Sequence, residues 1–282
     1  MSAEKTLYIS DLDGTLLLPN ECLSDHTRST LNALIERGLL FSYATARSFV
    51  TASRVTEGLC AQFPVIVYNG AFIIDNKTEE ILLSNYFAPE SVGEIRRILE
   101  QAGISPIVYA FVDSVEKFSS HDAESTEGAR RFLATRKGDR RENPVGSADE
   151  LYTGEVFYFT CIDAQERLAP VYQQLKDKHT CIFHQDIYTG GHWLEILPKE
   201  ATKASAALAL KARLGCDKIV AFGDGKNDIP MFQIADEAYA VENAVDELKA
   251  VATAVIGANT EDSVVKWLIE HTHLLHKEGD GL

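Results

Sequence analysis

Residues 10–17 read Ser-Asp-Leu-Asp-Gly-Thr-Leu-Leu and follow directly on an apolar, β-prone run from Thr6 to Ile9. Two carboxylates two positions apart, Asp11 and Asp13, fall on one face of an extended chain. At the end of a strand they stand where open α/β sheets bind their ligands. Carboxylates so close repel one another unless a cation or a shared proton holds them, so the pair predicts a metal-assisted site. Gly14 lets the backbone turn sharply away, and Thr15 offers a hydroxyl and an N–H. The glycine sits too early in the acidic run for an EF-hand loop. For an isolated pair of this kind a solvated acidic turn is the ordinary alternative.

A second acidic cluster argues against that alternative. Ile219-Val220-Ala221-Phe222 has the pattern of a buried strand and runs into Gly223-Asp224-Gly225-Lys226-Asn227-Asp228-Ile229-Pro230-Met231. Asp224 is therefore also expected at the carboxyl edge of a sheet. Asp228 follows one helical turn later if the chain becomes helical there. A hard dication such as Mg²⁺ is commonly held by one or two carboxylates together with substrate phosphate and water. Asp11, Asp13 and Asp224 suit that role, with Asp228 close behind.

With these residues in view the chain resembles the haloacid dehalogenase-like superfamily, in particular its Cof-like sugar-phosphatase branch. Four family motifs occur in order and span nearly the whole chain: Asp11-Leu-Asp-Gly-Thr-Leu-Leu17; a strand ending in Thr45, followed by Ala46 and Arg47; Lys203 opening a helix; and Gly223-Asp-Gly-Lys-Asn-Asp228. Asn69-Gly70-Ala71 also looks like a segment of this branch. The resemblance implies that Asp11 is the nucleophile and Asp13 the general acid–base. It implies a Mg²⁺ site formed by Asp11, the backbone carbonyl of Asp13, Asp224 and Asp228. Thr45 and Lys203 would hold the transferring phosphoryl oxygens, and Ala46, Arg47, Asn69, Gly70 and Asn227 would complete the substrate site. For Arg47 a substrate contact and a structural ion pair are equally open. Relatives commonly carry Gly where Ala46 stands and near Glu200 and Ala204, which predicts altered affinity or substrate range with the reacting groups intact.

The composition sets limits consistent with this. The chain has 282 residues and a formal charge of −15, which argues against nucleic-acid binding. The local exceptions, Arg130-Arg131, Arg136-Lys137 and Arg140-Arg141, read as a solvated helix face and loop. An anionic substrate must then be held by local charge. A unit pair 4 Å apart is worth about 4 kcal/mol at an effective dielectric near 20, whereas distant surface charges are screened within about 8 Å. The five cysteines are scattered without a C-x-x-C pair, which fits a reducing cytoplasm better than a disulfide framework. The N-terminus shows no signal pattern, and no apolar run approaches membrane-spanning length.

The elements that must position these residues alternate helix and strand at both ends of the chain. A helix over 24–37, a strand over 40–44, a helix over 48–59 and a strand from 65 predict a parallel, helix-covered sheet. After residue 84 the pattern changes. Helices near 89–103, 124–137 and 164–177 are interleaved with strands at 107–112, 115–118, 156–162, 180–184 and 192–197, and 137–154 reads as a loop. From 202 the alternation resumes. The expected fold is α/β: a Rossmann-like parallel-sheet core, residues 1–83 and 191–282, with an inserted α+β cap over 84–190. The cap would exclude water and read the organic part of the substrate. Its candidates are His184, Tyr188, His192, Trp193 and Glu195 around Gly190-Gly191, although Trp193 and Leu197 also alternate as core residues do.

The expected function is Mg²⁺-dependent hydrolysis of a small phosphorylated metabolite, such as a sugar phosphate, through an aspartyl phosphate, in the cytoplasm and without nucleic-acid or membrane partners. Oligomeric state is not specified. A phosphosugar mutase on the same residues and a non-catalytic sugar-phosphate binding module are the alternatives. A P-type pump, which shares the Gly-Asp-Gly-x-Asn-Asp pattern, is excluded by the lack of spanning segments.

Overall fold

The computed structural model describes residues 4–185, 191–272 and 274. The chain divides into two compact units, residues 1–84 with 202–282, and residues 85–201. It begins with β1 (Thr6–Ser10), α1 (Asp25–Glu36), β2 (Leu40–Tyr43), α2 (Phe49–Val55), β3 (Pro64–Val67), β4 (Phe72–Asp75) and β5 (Ile81–Ser84). The second unit holds α3 (Pro89–Ala102), β6 (Ile107–Val112), β7 (Val115–Ser120), α4 (Glu127–Ala134), β8 (Glu142–Pro144), β9 (Glu155–Asp163), α5 (Gln165–Leu175), β10 (Thr180–Gln185) and β11 (His192–Leu197). The chain then returns to the first unit with α6 (Lys203–Leu214), β12 (Lys218–Gly223), α7 (Ile229–Ile234), β13 (Glu237–Ala240), α8 (Asp246–Lys249), β14 (Ala254–Val255) and α9 (Ser263–Thr272).

Local chemistry explains the boundaries that matter for the site. Ser24 caps α1 by accepting from the Thr27 amide, and Thr202 caps α6 by accepting from the Ser205 amide, each satisfying an N–H that the helix leaves open. The strands nearest the acids are almost wholly apolar and buried: Leu7 and Ile9 in β1, Ile219, Val220, Ala221 and Phe222 in β12. Such continuous burial is what a parallel strand covered on both faces requires.

In the first unit the principal sheet has the order β14-β13-β12-β1-β2, and every pairing in it is parallel. β1 and β12 are neighbours, with Ser10 opposite Phe222, so residues 11 and 224 leave the sheet at the same edge. One feature departs from the sequence expectation. β3 joins β2 only through the parallel bridge Ala44–Ile66 and otherwise pairs antiparallel with β4, which pairs antiparallel with β5. No crossover helix separates these three strands, only the single turn Tyr68–Gly70 between β3 and β4, so the chain turns back as hairpins.

The second unit is built on a six-stranded sheet of order β10-β11-β9-β6-β7-β8, antiparallel except for the parallel pair β7–β8. A core including Ile95, Leu99, Phe159, Leu168, Val171 and Leu194 joins the sheet to α3 and α5. Ile107, Phe118, Ala129 and Leu133 form a smaller cluster under α4. The sequence reading placed 191–201 with the catalytic core. Instead β11 lies hydrogen-bonded between β9 and β10, so the second unit extends to Ala201. The stretch 137–154 is also more ordered than a loop, since β8 pairs with β7 and residues 149–152 form a helical turn. Tyr188 and Gly190 lie outside the described residues. Trp193 packs edge-on against Phe132, with ring centroids 5.1 Å apart, and stacks with His184 at 6.2 Å.

These ring contacts make Trp193 a packing residue of this unit. Trp193→Ala is expected to destabilise the protein by about 2–3 kcal/mol, below the range for a fully enclosed Trp. A lowered midpoint in a thermal melt checks this.

Candidate active site

The end of β1 delivers Asp11 to the carboxyl edge of the sheet, where its amide donates to the Phe222 carbonyl at 2.9 Å. Its side chain meets the Lys203 ammonium, which donates to Asp11 Oδ1 and Asp228 Oδ1, both at 2.7 Å. Lys203 is only 2% exposed, Asp11 6% and Asp228 0%. The second oxygen of Asp228 accepts from the amides of Asp224 and Gly225 at 3.1 and 3.0 Å. Asp224 receives the Thr15 hydroxyl at 2.9 Å. Carboxylate oxygens of Asp11, Asp224 and Asp228 lie within 4.8 Å of one another.

Two buried carboxylates thus share one ammonium, and a third, the half-buried Asp224, stands beside them. Burial pushes the Asp11 carboxyl well above the ordinary carboxylate range; Lys203 opposes the rise, while Asp228 and Asp224 add to it. Burial, and then Asp228, push Asp224 up to about 6. Burial alone would lower the Lys203 ammonium, but Asp11 and Asp228 outweigh that and hold it above its usual value. The donor set is all hard oxygen and carries more negative charge than Lys203 neutralises. It therefore fits a small dication such as Mg²⁺; Asp11, Asp224 and Asp228 would hold the ion.

The neighbouring turns are shaped for this close approach. Gly14 has φ +76°, and a Cβ there would lie 2.3 Å from Asp224 Oδ2. Gly70 has φ +100°, and a Cβ there would lie 2.1 Å from the Thr202 carbonyl, at the start of the helix that carries Lys203. Tyr68 and Asn69 also take left-handed conformations, φ 50° and 52°, unusual for side-chain-bearing residues and a mark of functional segments. Asn69 Oδ1 accepts from Asn227 Nδ2 at 3.2 Å, joining two segments named in the sequence analysis. Thr45, fully buried, lies two residues beyond β2; its hydroxyl accepts from the Arg47 amide at 3.1 Å and its carbonyl from the Asn69 amide at 2.9 Å. Ala46 beside it is exposed.

The Asp13 side chain is not with the other carboxylates. The strand ends at Ser10, so the two-residue alternation that predicted one face for Asp11 and Asp13 no longer applies beyond it. Asp13 instead takes both forks of Arg47, with Nε at 2.7 Å and Nη2 at 2.5 Å. Of the two readings left open for Arg47, the ion pair is present. Asn243 and Asn259 were missed by the sequence analysis. Asn243 Nδ2 donates to the Gly14 carbonyl at 2.7 Å, Asn259 Nδ2 donates to the Leu17 carbonyl at 2.8 Å, and the Asn259 amide donates to Asn243 Oδ1 at 3.0 Å. Together they brace the acidic turn from more than two hundred residues away. No local pattern marks such residues.

The crowded charges yield a stability prediction for the metal-free protein. Asp224 titrates at about 6 in the folded state against 3.8 for its ordinary value, so folding holds its proton more tightly. That contribution is present below the unfolded value and is lost as pH rises through about 6. Asp224→Asn in chelator is therefore expected to be more stable than the parent at pH 8, by on the order of 1–3 kcal/mol. The difference should shrink toward pH 4, and the variant's melt should respond much less to Mg²⁺. Melts at both pH values, with and without Mg²⁺, check this.

Comparison with known proteins agrees with the geometry. A family model described as haloacid dehalogenase-like hydrolase matches residues 8–268. The chain is 26% identical to the 5-amino-6-(5-phospho-D-ribitylamino)uracil phosphatase YitU of Bacillus subtilis, over 97% of this chain and all of the relative. It is also 26% identical to the YwtE phosphatase of the same name and organism, over 92% of this chain and 95% of the relative. The crystal structure of TM0651 from Thermotoga maritima superposes with a TM-score of 0.75 at 26% identity, covering 94% of this chain and 96% of that one. A haloacid dehalogenase-like hydrolase from Bacteroides thetaiotaomicron shares the fold, with a TM-score of 0.77 at 22% identity over 95% and 99% of the two chains. The chain belongs to the haloacid dehalogenase-like hydrolase family, in its Cof-like branch, and is a phosphoric monoester hydrolase.

Proposed function

We propose that this protein is a Mg²⁺-dependent phosphatase of small phosphate monoesters, sugar or polyol phosphates in particular, working through an aspartyl phosphate on Asp11. The observation that supports this most is the buried Lys203 ammonium, 2.7 Å from Asp11, within a carboxylate cluster that carries excess negative charge. Mg²⁺ bound there supplies the positive charge that lets an anionic nucleophile approach an anionic phosphate.

The chain's own residues then divide the work. A carboxylate oxygen of Asp11 attacks phosphorus while the bond to the leaving oxygen breaks, and Asp13 gives that oxygen a proton. Water next attacks the aspartyl phosphate, passes a proton to Asp13, and releases orthophosphate with Asp11 restored. Lys203 steadies Asp11 and, with the Thr45 hydroxyl, neutralises charge on the transferring oxygens. The braced Gly14 turn holds Asp11 and Asp13 in fixed order. The two Bacillus relatives are named for a phosphorylated ribityl compound, which makes a phosphorylated open-chain or cyclic sugar the substrate class to test first. Substrate selection is assigned to the second unit, the expected cap. The five thiols are free, as a reducing cytoplasm would keep them.

Asp11→Asn is expected to fold normally and to lose turnover by at least about a thousandfold, since a carboxamide is a poor nucleophile. Phosphate release from a panel of sugar, polyol and nucleotide phosphates should stop in excess chelator and return with Mg²⁺. Undiminished release in chelator, or near-parent activity in Asp11→Asn, overturns the proposal.

A further inference from the structure

The Arg47 guanidinium has a second anionic partner. Its Nη2 donates both to Asp13 Oδ1 at 2.5 Å and to Glu21 Oε2 at 2.8 Å, while Nε donates to Asp13 Oδ2 at 2.7 Å. The three side chains differ in exposure: Arg47 19%, Asp13 46%, Glu21 66%. The arginine is thus the anchored member, and both acids reach it from the solvent side. Glu21 is placed by a small closed turn in which the Leu18 amide donates to the Cys22 carbonyl and the Glu21 amide to the Leu18 carbonyl, both at 2.9 Å. Glu21 itself takes a left-handed φ of 60°.

Surface ion pairs of this exposure contribute little to stability, about 0–1 kcal/mol. What this one can do is orient the groups it joins. A half-exposed aspartate can rotate about two torsions, and a proton-transfer group must hold its oxygen within hydrogen-bond reach of the reacting atom. A guanidinium engaging both oxygens fixes the carboxylate plane, but only if the guanidinium is itself fixed. Both hydrogens of Nη2 are now committed, one to each acid, which removes rotation of the fork about its own axis.

We propose that Glu21 is a positioning residue for the phosphatase reaction: by securing Arg47 it holds the Asp13 carboxylate in one orientation for proton transfer to and from the departing and attacking oxygens. This rests on the reading of Asp13 as general acid–base. Glu21 touches neither substrate nor metal in this role, so its removal slows the two proton transfers, and in the step that expels the leaving oxygen it acts only on substrates whose leaving group needs a proton.

The test compares an alkyl phosphate, whose leaving oxygen needs protonation, with 4-nitrophenyl phosphate, whose leaving oxygen does not. Glu21→Ala is expected to lower kcat for the alkyl ester roughly tenfold, a fraction of the full general-acid contribution, with KM unchanged. For the aryl ester kcat/KM, which reports the step that expels the leaving oxygen and not the later attack of water, should stay within about twofold. Glu21→Gln keeps an acceptor oxygen and should recover most of the loss; melting temperatures of all three proteins should agree. A higher KM at constant kcat for the alkyl ester, equal losses of kcat/KM on both esters, or no loss at all overturns the role of Glu21. Asp13→Asn is the control. If it shows a steep leaving-group dependence while Glu21→Ala shows none, only Glu21 falls. If Asp13→Asn shows no such dependence, the acid assignment itself fails, and the positioning role with it.

Discussion

Lys203 brings a single positive charge into a pocket shared by Asp11, Asp224 and Asp228, and the surrounding architecture follows from keeping that arrangement tolerable. A buried carboxylate is costly unless it is paired and hydrogen-bonded. Asp228 meets this with two backbone amides and the ammonium, and Asp224 with the Thr15 hydroxyl. Asp11 and Asp224 nevertheless stay pushed toward protonation. The residual strain has the sign that a cation would relieve.

Holding four charged groups at these distances demands a rigid frame. The pairing of β1 with β12 places two strand ends side by side, and the capped first turn of α6 brings Lys203 to them. Glycines permit the close approach: a methyl group at Gly14 would strike Asp224, and one at Gly70 would strike the start of α6. The asparagines at 243 and 259 then tie the acidic turn to the far end of the chain. Each device is small, but together they fix a geometry that a flexible loop could not keep.

The protein's overall charge of −15 disfavours an anionic substrate only at long range. Screening over about 8 Å at physiological ionic strength reduces the influence of distant surface acids, whereas charges in contact inside a desolvated pocket keep much of theirs. In the proposed reaction, affinity for phosphate would therefore be set by Lys203 and a cation held by the acidic cluster. The exposed acids instead favour solubility and discourage nucleic-acid partners.

Much of this was legible from residue order alone. Apolar runs ending in Asp-x-Asp-Gly-Thr and Gly-Asp-Gly-x-Asn-Asp located two strand ends and their acids, because strand burial and turn chemistry are local and leave a periodic trace. The helix–strand alternation gave the parallel sheet, and the change of pattern after residue 84 gave the insert, for the same reason. What pairs with what was not legible. Whether β11 belonged to the first or the second sheet depended on hydrogen bonds to β9 and β10, which hydrophobic pattern does not specify. Asp13 left the acidic cluster for Arg47 because the chain has turned out of the strand over Leu12–Leu16, and the direction that such a turn gives a side chain is not carried by residue pattern. Asn243, Asn259 and Glu21 carry no local signature, since a hydrogen-bonding side chain acquires its role only from the partner that folding brings to it. The sequence by itself determined which chemical groups were available and at which strand ends they would stand; tertiary structure decided which of them meet, because distance and desolvation, which set the strength of every charge pair here, exist only once the chain has closed.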